Sequence, residues 1–327
     1  MSKLVTIYGG SGFVGRYIVR RLAQAGWRVR VAVRRPNEAL FVRPYGATGQ
    51  VEPVLCNIRD DASVRSVMQG AHAVVNCVGI LAENGKNKFA AVQAEGAGRI
   101  ARIAKDLGVA RMVHISAIGA DEASQSVYAR TKALGEAAVL DHMPQAMILR
   151  PSIVFGAEDQ FFNRFAKMAQ FGPILPVVGA DTRFQPVYVD DIAKAAVMGV
   201  EGTAPGGVYE LGGPEVASFR DIMQVMLDAI QRRRLVMNIP FPVAQGMGLG
   251  FDVLNKVTLG LVPAQITRDQ VQNLRHDNVV HPDAKGFAAL GIVPTSLDSV
   301  LPDYLWPYRP SGQYAAIKAS AKNLREQ

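Results

Sequence analysis

The sequence predicts an α/β protein: a doubly wound parallel sheet followed by a smaller α+β lobe. Three observations predict it. An apolar run, Leu4-Val-Thr-Ile-Tyr8, breaks into a glycine cluster and resumes as Ile18, Val19, Leu22 and Ala23 at helical spacing, the pattern of strand, tight turn and helix. Strand-like segments then alternate with helical ones as far as residue 213, and such alternation implies parallel pairing through right-handed crossovers. Finally, Ala73-Val-Val-Asn-Cys-Val-Gly79 is almost continuously apolar, as strands are when helices cover both faces of a sheet.

The glycine cluster, Gly9-Gly-Ser-Gly12-Phe13-Val14-Gly15-Arg16, carries the first functional signal. A helix that opens directly out of such a turn presents free backbone N–H groups and the positive end of its dipole, which suits a dinucleotide pyrophosphate. Gly9 permits the sharp turn, Gly12 lets phosphates approach the backbone, and Gly15 lets helix and strand pack closely. The spacing is Gly-x-x-Gly-x-x-Gly rather than the commoner Gly-x-Gly-x-x-Gly. The second strand, Arg28–Val33, ends in Arg34-Arg35-Pro36, where NAD-specific sites place an acidic residue for the ribose 2′-hydroxyl. Arg34, Arg35 and Arg16 instead offer three guanidinium groups to a 2′-phosphate, which favours NADPH over NADH. The plainer alternative is that these arginines only solvate the strand end.

The third strand is expected at Glu52–Asn57, a short helix at Ala62–Gln69, the fourth strand at 73–79 and a long helix at 87–107, stopped by Gly108. Arg111–Ser116 reads as the fifth strand and Met147–Gly156 as the sixth. Asn57, Ile58, Val78, Gly79, Ser116 and Pro151 thus fall at or near the carboxyl ends of strands, where open α/β sheets bind their ligands. A further helix begins at Ser126 and places Tyr128 and Lys132 four residues apart, on one helical face. Beside a nicotinamide, an ammonium there lowers the phenol's pKa and holds a ribose hydroxyl, and the phenol can exchange a proton with a substrate oxygen. The alternative is an ordinary exposed pair. Asp190 and Asp191 are expected to cap the next helix, and residues 208–213 to form a last strand. From about residue 214 the pattern changes to an amphipathic helix over Phe219–Ile230, an apolar, glycine-rich segment over 241–262 and an Ala/Lys-rich tail over 313–327. A dinucleotide-binding domain is accordingly placed at 1–215, some of its segments contributing to the second lobe, and a partner- or membrane-facing lobe with its tail at 216–327.

Composition narrows the partners. Lys and Arg number 36 against 28 Asp and Glu, for a net charge of +8 over 327 residues. That surplus suits phosphate-bearing ligands, acidic partners or an anionic lipid surface. Nucleic acid is not indicated, because no recognition motif or aromatic-interleaved basic stripe accompanies the charge. The five histidines form no ligand set, so no metal is expected, and there is no Gly-x-Ser-x-Gly nucleophile elbow. Cys56 and Cys77 read as core residues in a reducing compartment. The stretch Leu235–Phe251 is broken by Pro240, Pro242, Gly246, Gly248 and Gly250, too often to span a bilayer. Met1 is followed almost at once by the first strand, which leads us to expect a bacterial chain on the cytoplasmic side.

Taken together, Gly9-x-x-Gly12-x-x-Gly15, Tyr128-x-x-x-Lys132, Leu149-Arg-Pro-Ser-Ile-Val-Phe-Gly156 and Val187-Tyr-Val-Asp-Asp-Ile192 resemble the extended or atypical short-chain dehydrogenase/reductase family over roughly residues 1–215. More narrowly, His114–Ala120, Tyr128–Glu136 and Arg150–Asp159 are similar to the NADPH-binding accessory subunits of respiratory complex I. That resemblance implies a Rossmann fold, a firmly held NADPH, partner subunits in a membrane-bound respiratory complex, a peripheral position at the bacterial inner membrane and a structural role. Catalytic members place a serine or threonine after the fifth strand, beside the tyrosine. Here that position falls on Ile118, with Ser116 two residues early. Losing such a hydrogen bond to developing charge costs about 2–4 kcal/mol, so Tyr128 and Lys132 are read as vestigial catalytic groups that hold cofactor. Asn57 stands where the family often carries an aspartate near the adenine. The alternatives are an active NADPH-dependent reductase or epimerase acting on a quinone, phenolic or sugar-nucleotide substrate, and a sensor that reports NADPH occupancy to a partner.

Overall fold

The computed structural model describes residues 3–83, 85–246 and 268–314. Its centre is a seven-stranded sheet of β1 (Leu4–Tyr8), β2 (Arg28–Val33), β3 (Val51–Leu55), β4 (Ala73–Asn76), β5 (Arg111–Ile115), β6 (Met147–Pro151) and β7 (Gly207–Leu211). All neighbours pair in parallel, in the order β7-β6-β5-β4-β1-β2-β3. The order reverses between β1 and β4, which places a crevice at their carboxyl ends.

Alternating side chains fill two cores, one on each face. On one side Val5, Ile7, Val29, Val31 and Val75 pack with Ile18, Val19 and Leu22 of α1 (Phe13–Gln24) and with α6 (Val189–Glu201). On the other, Tyr8, Val74, Met112 and Ile148 meet α2 (Asp61–Met68), α3 (Glu95–Asp106) and α4 (Val127–His142). Each buried Val, Ile or Leu adds about 1.5–3 kcal/mol relative to exposure, which is why the apolar periodicity alone located these elements.

Several bounds differ from expectation. The fourth strand ends at Asn76 because its side chain takes the Val78 N–H at 3.0 Å, turning the chain out of the sheet. The long helix opens with a π-helical turn, Ala90–Ala94, before α3. There Gln93 donates to the Ile80 carbonyl at 2.7 Å and accepts from Thr131 at 2.9 Å. Its own carbonyl occupies the place where a side chain at Gly135 would go. Asp190 and Asp191 do not cap α6; they lie in its first turn, and the N-cap is Tyr188, with no side-chain bond. Asp190 instead forks with Arg21 of α1 at 2.6 and 2.5 Å. Buried Asp191 accepts from Lys194 at 2.6 Å and from the Thr295 N–H at 2.7 Å.

The second lobe draws on more of the chain than its C-terminal third. Phe155, Phe162 of α5 (Phe162–Met168), Leu175 and Phe184 share a core with Phe219, Ile222 and Met226 of α7 (Phe219–Ala229) and with Leu301 and Leu305. Short strand pairs, Ile174–Val178 with Leu235–Ile239 and Arg183–Phe184 with Ala217–Ser218, complete it. In the opposite sense, Phe287 and Leu290 pack back into the core beside α1 and α6, and Glu210 N–H bonds the Lys285 carbonyl at 2.8 Å. Residues 247–262 of the apolar segment and 315–327 of the tail lie outside the described residues. Among the described residues no helix is long and apolar enough to cross a membrane, and no cluster of metal-ligating side chains forms. Both cysteines are free thiols, Cys56 fully buried and Cys77 partly so.

Candidate functional site

The crevice begins at the glycine turn. Gly9 sits at φ +74°, its N–H bonded to the Ala32 carbonyl and its own carbonyl accepting from Gly12 N–H, each at 3.0 Å. A side chain at Gly9 would come within 3.2 Å of the Cys77 backbone and of Val78 Cγ2, and one at Gly15 would collide with the Gly9 carbonyl and approach Gly10 Cα to 2.7 Å. Only glycine fits at Gly15. Gly12 is the N-cap of α1 and supplies no side-chain bond, and the first turn holds no acidic residue. The first N–H groups of α1 are thus left for an outside acceptor. Tight packing of the turn against the helix, with no side-chain cap at the helix end, fits a dinucleotide pyrophosphate. Phe13 and Val14 open the first turn of α1, Phe13 packing edge-on against Tyr17 with ring centroids 6.2 Å apart.

The three arginines flank this turn in different states. Arg16 folds back on the turn: it donates to the Ser11 carbonyl at 3.3 Å, pairs with Glu158 at 3.3 Å and lies over the Phe41 ring at 4.7 Å. That contact brings α1 beside the segment that follows Arg34 and Arg35. Arg34 is exposed, while Arg35 is largely exposed and pairs with Glu38 at 2.9 Å. Asn57 is exposed just past β3, its Oδ1 accepting from Arg59 N–H at 3.2 Å, with buried Ile58 beside it. Val78 and Gly79 follow β4, and a Cβ on Gly79 would lie 3.4 Å from Lys132 Nζ. Pro151 ends β6, and its carbonyl accepts from Ile118 N–H at 3.0 Å.

At the other end of the crevice, Lys132 is buried against β5, donating to the Ile115 carbonyl at 3.0 Å. Burial lowers its pKa to about 8, against opposing pulls from Glu136 and Cys77. Tyr128 packs edge-on to Phe89 with centroids 5.9 Å apart. The expected lowering of its pKa is not what the structure shows: burial first, then the Asp269 carboxylate, push the phenol up to about 12. His114 is buried beside Asn76, 3.1 Å from its amide, and burial with nearby Lys132 lowers its pKa to about 3, so the ring is neutral.

Ser116 does not face the crevice as a free donor. Its hydroxyl donates to buried Glu136, which also accepts the fork of Arg150 at 2.6 and 3.0 Å. Arg150 reaches on to Glu210 at 3.5 Å, and Glu210 accepts from His281 N–H at 2.9 Å. Ile118 is anchored by its backbone and offers no polar side chain.

One residue that sequence reading missed is Asp269. It lies in the short helix Arg268–Asn273 of the second lobe, and its carboxylate accepts from Val127 N–H and Ser126 Oγ, both at 2.8 Å, and from Tyr128 N–H at 3.3 Å. Ser126 itself caps α4 by accepting from Ala129 N–H at 3.2 Å. A separation of 143 residues hides the Asp269 contact from any local pattern.

Residues 5–212 match the family model described as NAD dependent epimerase/dehydratase family. The chain is 35% identical over 326 residues to NADH dehydrogenase [ubiquinone] 1 alpha subcomplex subunit 9, mitochondrial, of Arabidopsis thaliana, covering 98% of this chain and 81% of that protein. It is 34% identical over 194 residues to the ceramide reductase of Caulobacter vibrioides, covering 59% of this chain and 60% of that one. Among solved structures, gox2253 superposes with a TM-score of 0.69 at 19% identity, over 93% of this chain and 97% of its own, a likeness of fold.

Proposed function

The chain belongs to the NAD dependent epimerase/dehydratase family, and on that premise we propose that it is an NADPH-binding accessory subunit of respiratory complex I. The observation that carries the reading is coverage: similarity to the complex I subunit runs over 98% of this chain, second lobe included, whereas similarity to the reductase covers 59%. The dehydrogenase-type machinery is also blunted. On the family pattern the place of the polarising hydroxyl falls on Ile118, and Ser116 is held by Glu136.

In this reading the free N–H groups of α1 hold the pyrophosphate, Arg16, Arg34 and Arg35 take the 2′-phosphate, and Tyr128 with Lys132 holds a ribose hydroxyl. NADPH when bound carries a transferable hydride; these residues bind and orient it, and its role is to brace the fold for assembly. The net charge of +8 and the want of a spanning helix among the described residues support a peripheral seat on the cytoplasmic side of a bacterial inner membrane, beside subunits of the complex and anionic lipid. A pull-down from detergent-solubilised membranes, with nucleotide analysis of the bound fraction, tests it: complex I subunits and NADPH should co-elute. The second reading, an active NADPH-dependent reductase, is favoured by the intact Tyr128–Lys132 pair. Substrate-dependent NADPH oxidation by the isolated chain, abolished by Tyr128→Phe, would establish it instead.

A further inference from the structure

The helix that carries Tyr128 and Lys132 is held at its start by the other lobe. Three donors there, Val127 N–H, Ser126 Oγ and Tyr128 N–H, converge on the Asp269 carboxylate. The same short helix makes two more contacts across the boundary: Gln272 donates to Gln125 Oε1 at 3.1 Å and Gln270 to the Leu81 carbonyl at 3.5 Å. Leu81 lies two residues beyond Gly79, which sits against Lys132 Nζ. Residues 268–273 therefore touch both walls of one end of the crevice, the loop after β4 and the start of α4. Ser126 is buried, so an unfilled position at Asp269 would leave it and the two N–H groups short of an acceptor, at a cost typical of unsatisfied buried donors.

We propose that Asp269 is a positioning residue through which NADPH occupancy of the crevice and seating of the second lobe reinforce each other. The proposal rests on the nucleotide reading above. A ligand held by Tyr128 and Lys132 orders α4 and the loop after β4, and ordered donors at 126–128 hold Asp269 more firmly. By linkage, a seated Asp269 must tighten nucleotide binding by the same factor. The carboxylate beside Tyr128 adds to the burial that raises the phenol's pKa. The binding end of the crevice is in this way completed from the lobe that faces partners.

The test is hydrogen–deuterium exchange on the full-length chain with and without NADPH, alongside direct measurement of NADPH affinity. In the wild type, NADPH should slow exchange in both 126–132 and 269–274, by about fivefold or more, the scale of ordinary allosteric coupling. In Asp269→Ala, NADPH should still slow exchange in 126–132 but no longer in 269–274, and its affinity should fall by the same factor. Asp269→Asn, which can still accept hydrogen bonds as a helix cap, should restore most of the coupling while lowering the pH at which Tyr128 ionises, read by ultraviolet titration against Tyr128→Phe. Equal NADPH protection of 269–274 in wild type and Asp269→Ala overturns the coupling and leaves the nucleotide reading standing. A wild-type chain that binds no NADPH overturns both, and the affinity measurement distinguishes the two failures. Should Asp269→Ala fail to fold, Ser126→Ala, which removes one of the three donors to Asp269, decides: NADPH protection of 269–274 clearly smaller than in the wild type supports the proposal, and protection equal to the wild type ends it.

Discussion

Two helix starts that bear on the crevice are treated in opposite ways. The start of α1 is bare: its N-cap is Gly12, no side chain among the described residues bonds its first N–H groups, and no acid stands in its first turn. The start of α4 is sealed by Ser126 from its own segment and by Asp269 from the other lobe. Each helix end carries the same partial positive charge and the same unsatisfied donors. The first keeps them for a ligand, and the second spends them on tying the two lobes together. One end of the crevice thus presents backbone donors outward, while the other is fastened to the second lobe through Asp269.

That contrast can be broken most severely at α1. Gly15→Val should abolish nucleotide binding and lower stability by about 3 kcal/mol, because its Cβ meets backbone at Gly9 and Gly10 and only a displacement of α1 from β1 relieves it. Urea denaturation together with NADPH retention on gel filtration reads both effects. Arg34→Asp combined with Arg35→Asp should weaken NADPH by about 100-fold while changing NADH by less than about threefold, since charge-assisted bonds to the 2′-phosphate are lost. Equal losses for the two nucleotides in titration calorimetry would mean that the phosphate lies elsewhere. At α4, Ser126→Ala should cost about 1 kcal/mol of stability, as cap removal does, and leave Arg34- and Arg35-dependent selectivity untouched.

A pH dependence sharpens the comparison at Lys132. Its pKa is about 8 in the fold and near the ordinary lysine value in the unfolded chain. Below pH 8 the ammonium is charged in both states, and burial destabilises the fold. Between about pH 8 and 10.4 the unfolded chain binds more protons than the fold, so the wild type gains stability as pH rises. Lys132→Met lacks that titration. Its stability relative to wild type should therefore be most favourable at pH 7 and decline by pH 10, as followed by denaturant unfolding at each pH. The smallest effect is expected of Tyr128→Phe, which on the accessory-subunit reading should leave complex assembly and respiratory activity near wild type, since that reading gives the phenol only one of several proposed cofactor contacts.

Much of this was legible in the chain. The seven parallel strands, the glycine turn, α1, α4 with its Tyr128–Lys132 spacing and α7 follow from apolar periodicity and turn chemistry, which act over a few residues and leave a readable trace. Strand ends were less legible because side-chain acceptors decide them: Asn76 stops β4 by taking the Val78 N–H. The π-helical turn at 90–94 depends on where Gln93 meets Gly135 and Thr131, and Asp190 and Asp191 became partners of Arg21 and Lys194 rather than caps.

What the sequence by itself determined is a parallel sheet whose first strand breaks into a glycine turn and opens a helix at the crevice. Tertiary structure alone decided that Ser116 would be held by Glu136, that burial and Asp269 would push the Tyr128 phenol's pKa up, and that Asp269 would reach across to α4. The physical reason is range. A helix or a glycine turn is fixed by neighbours along the chain, whereas a carboxylate from a distant segment alters a pKa or fills a helix end only once folding has carried it there.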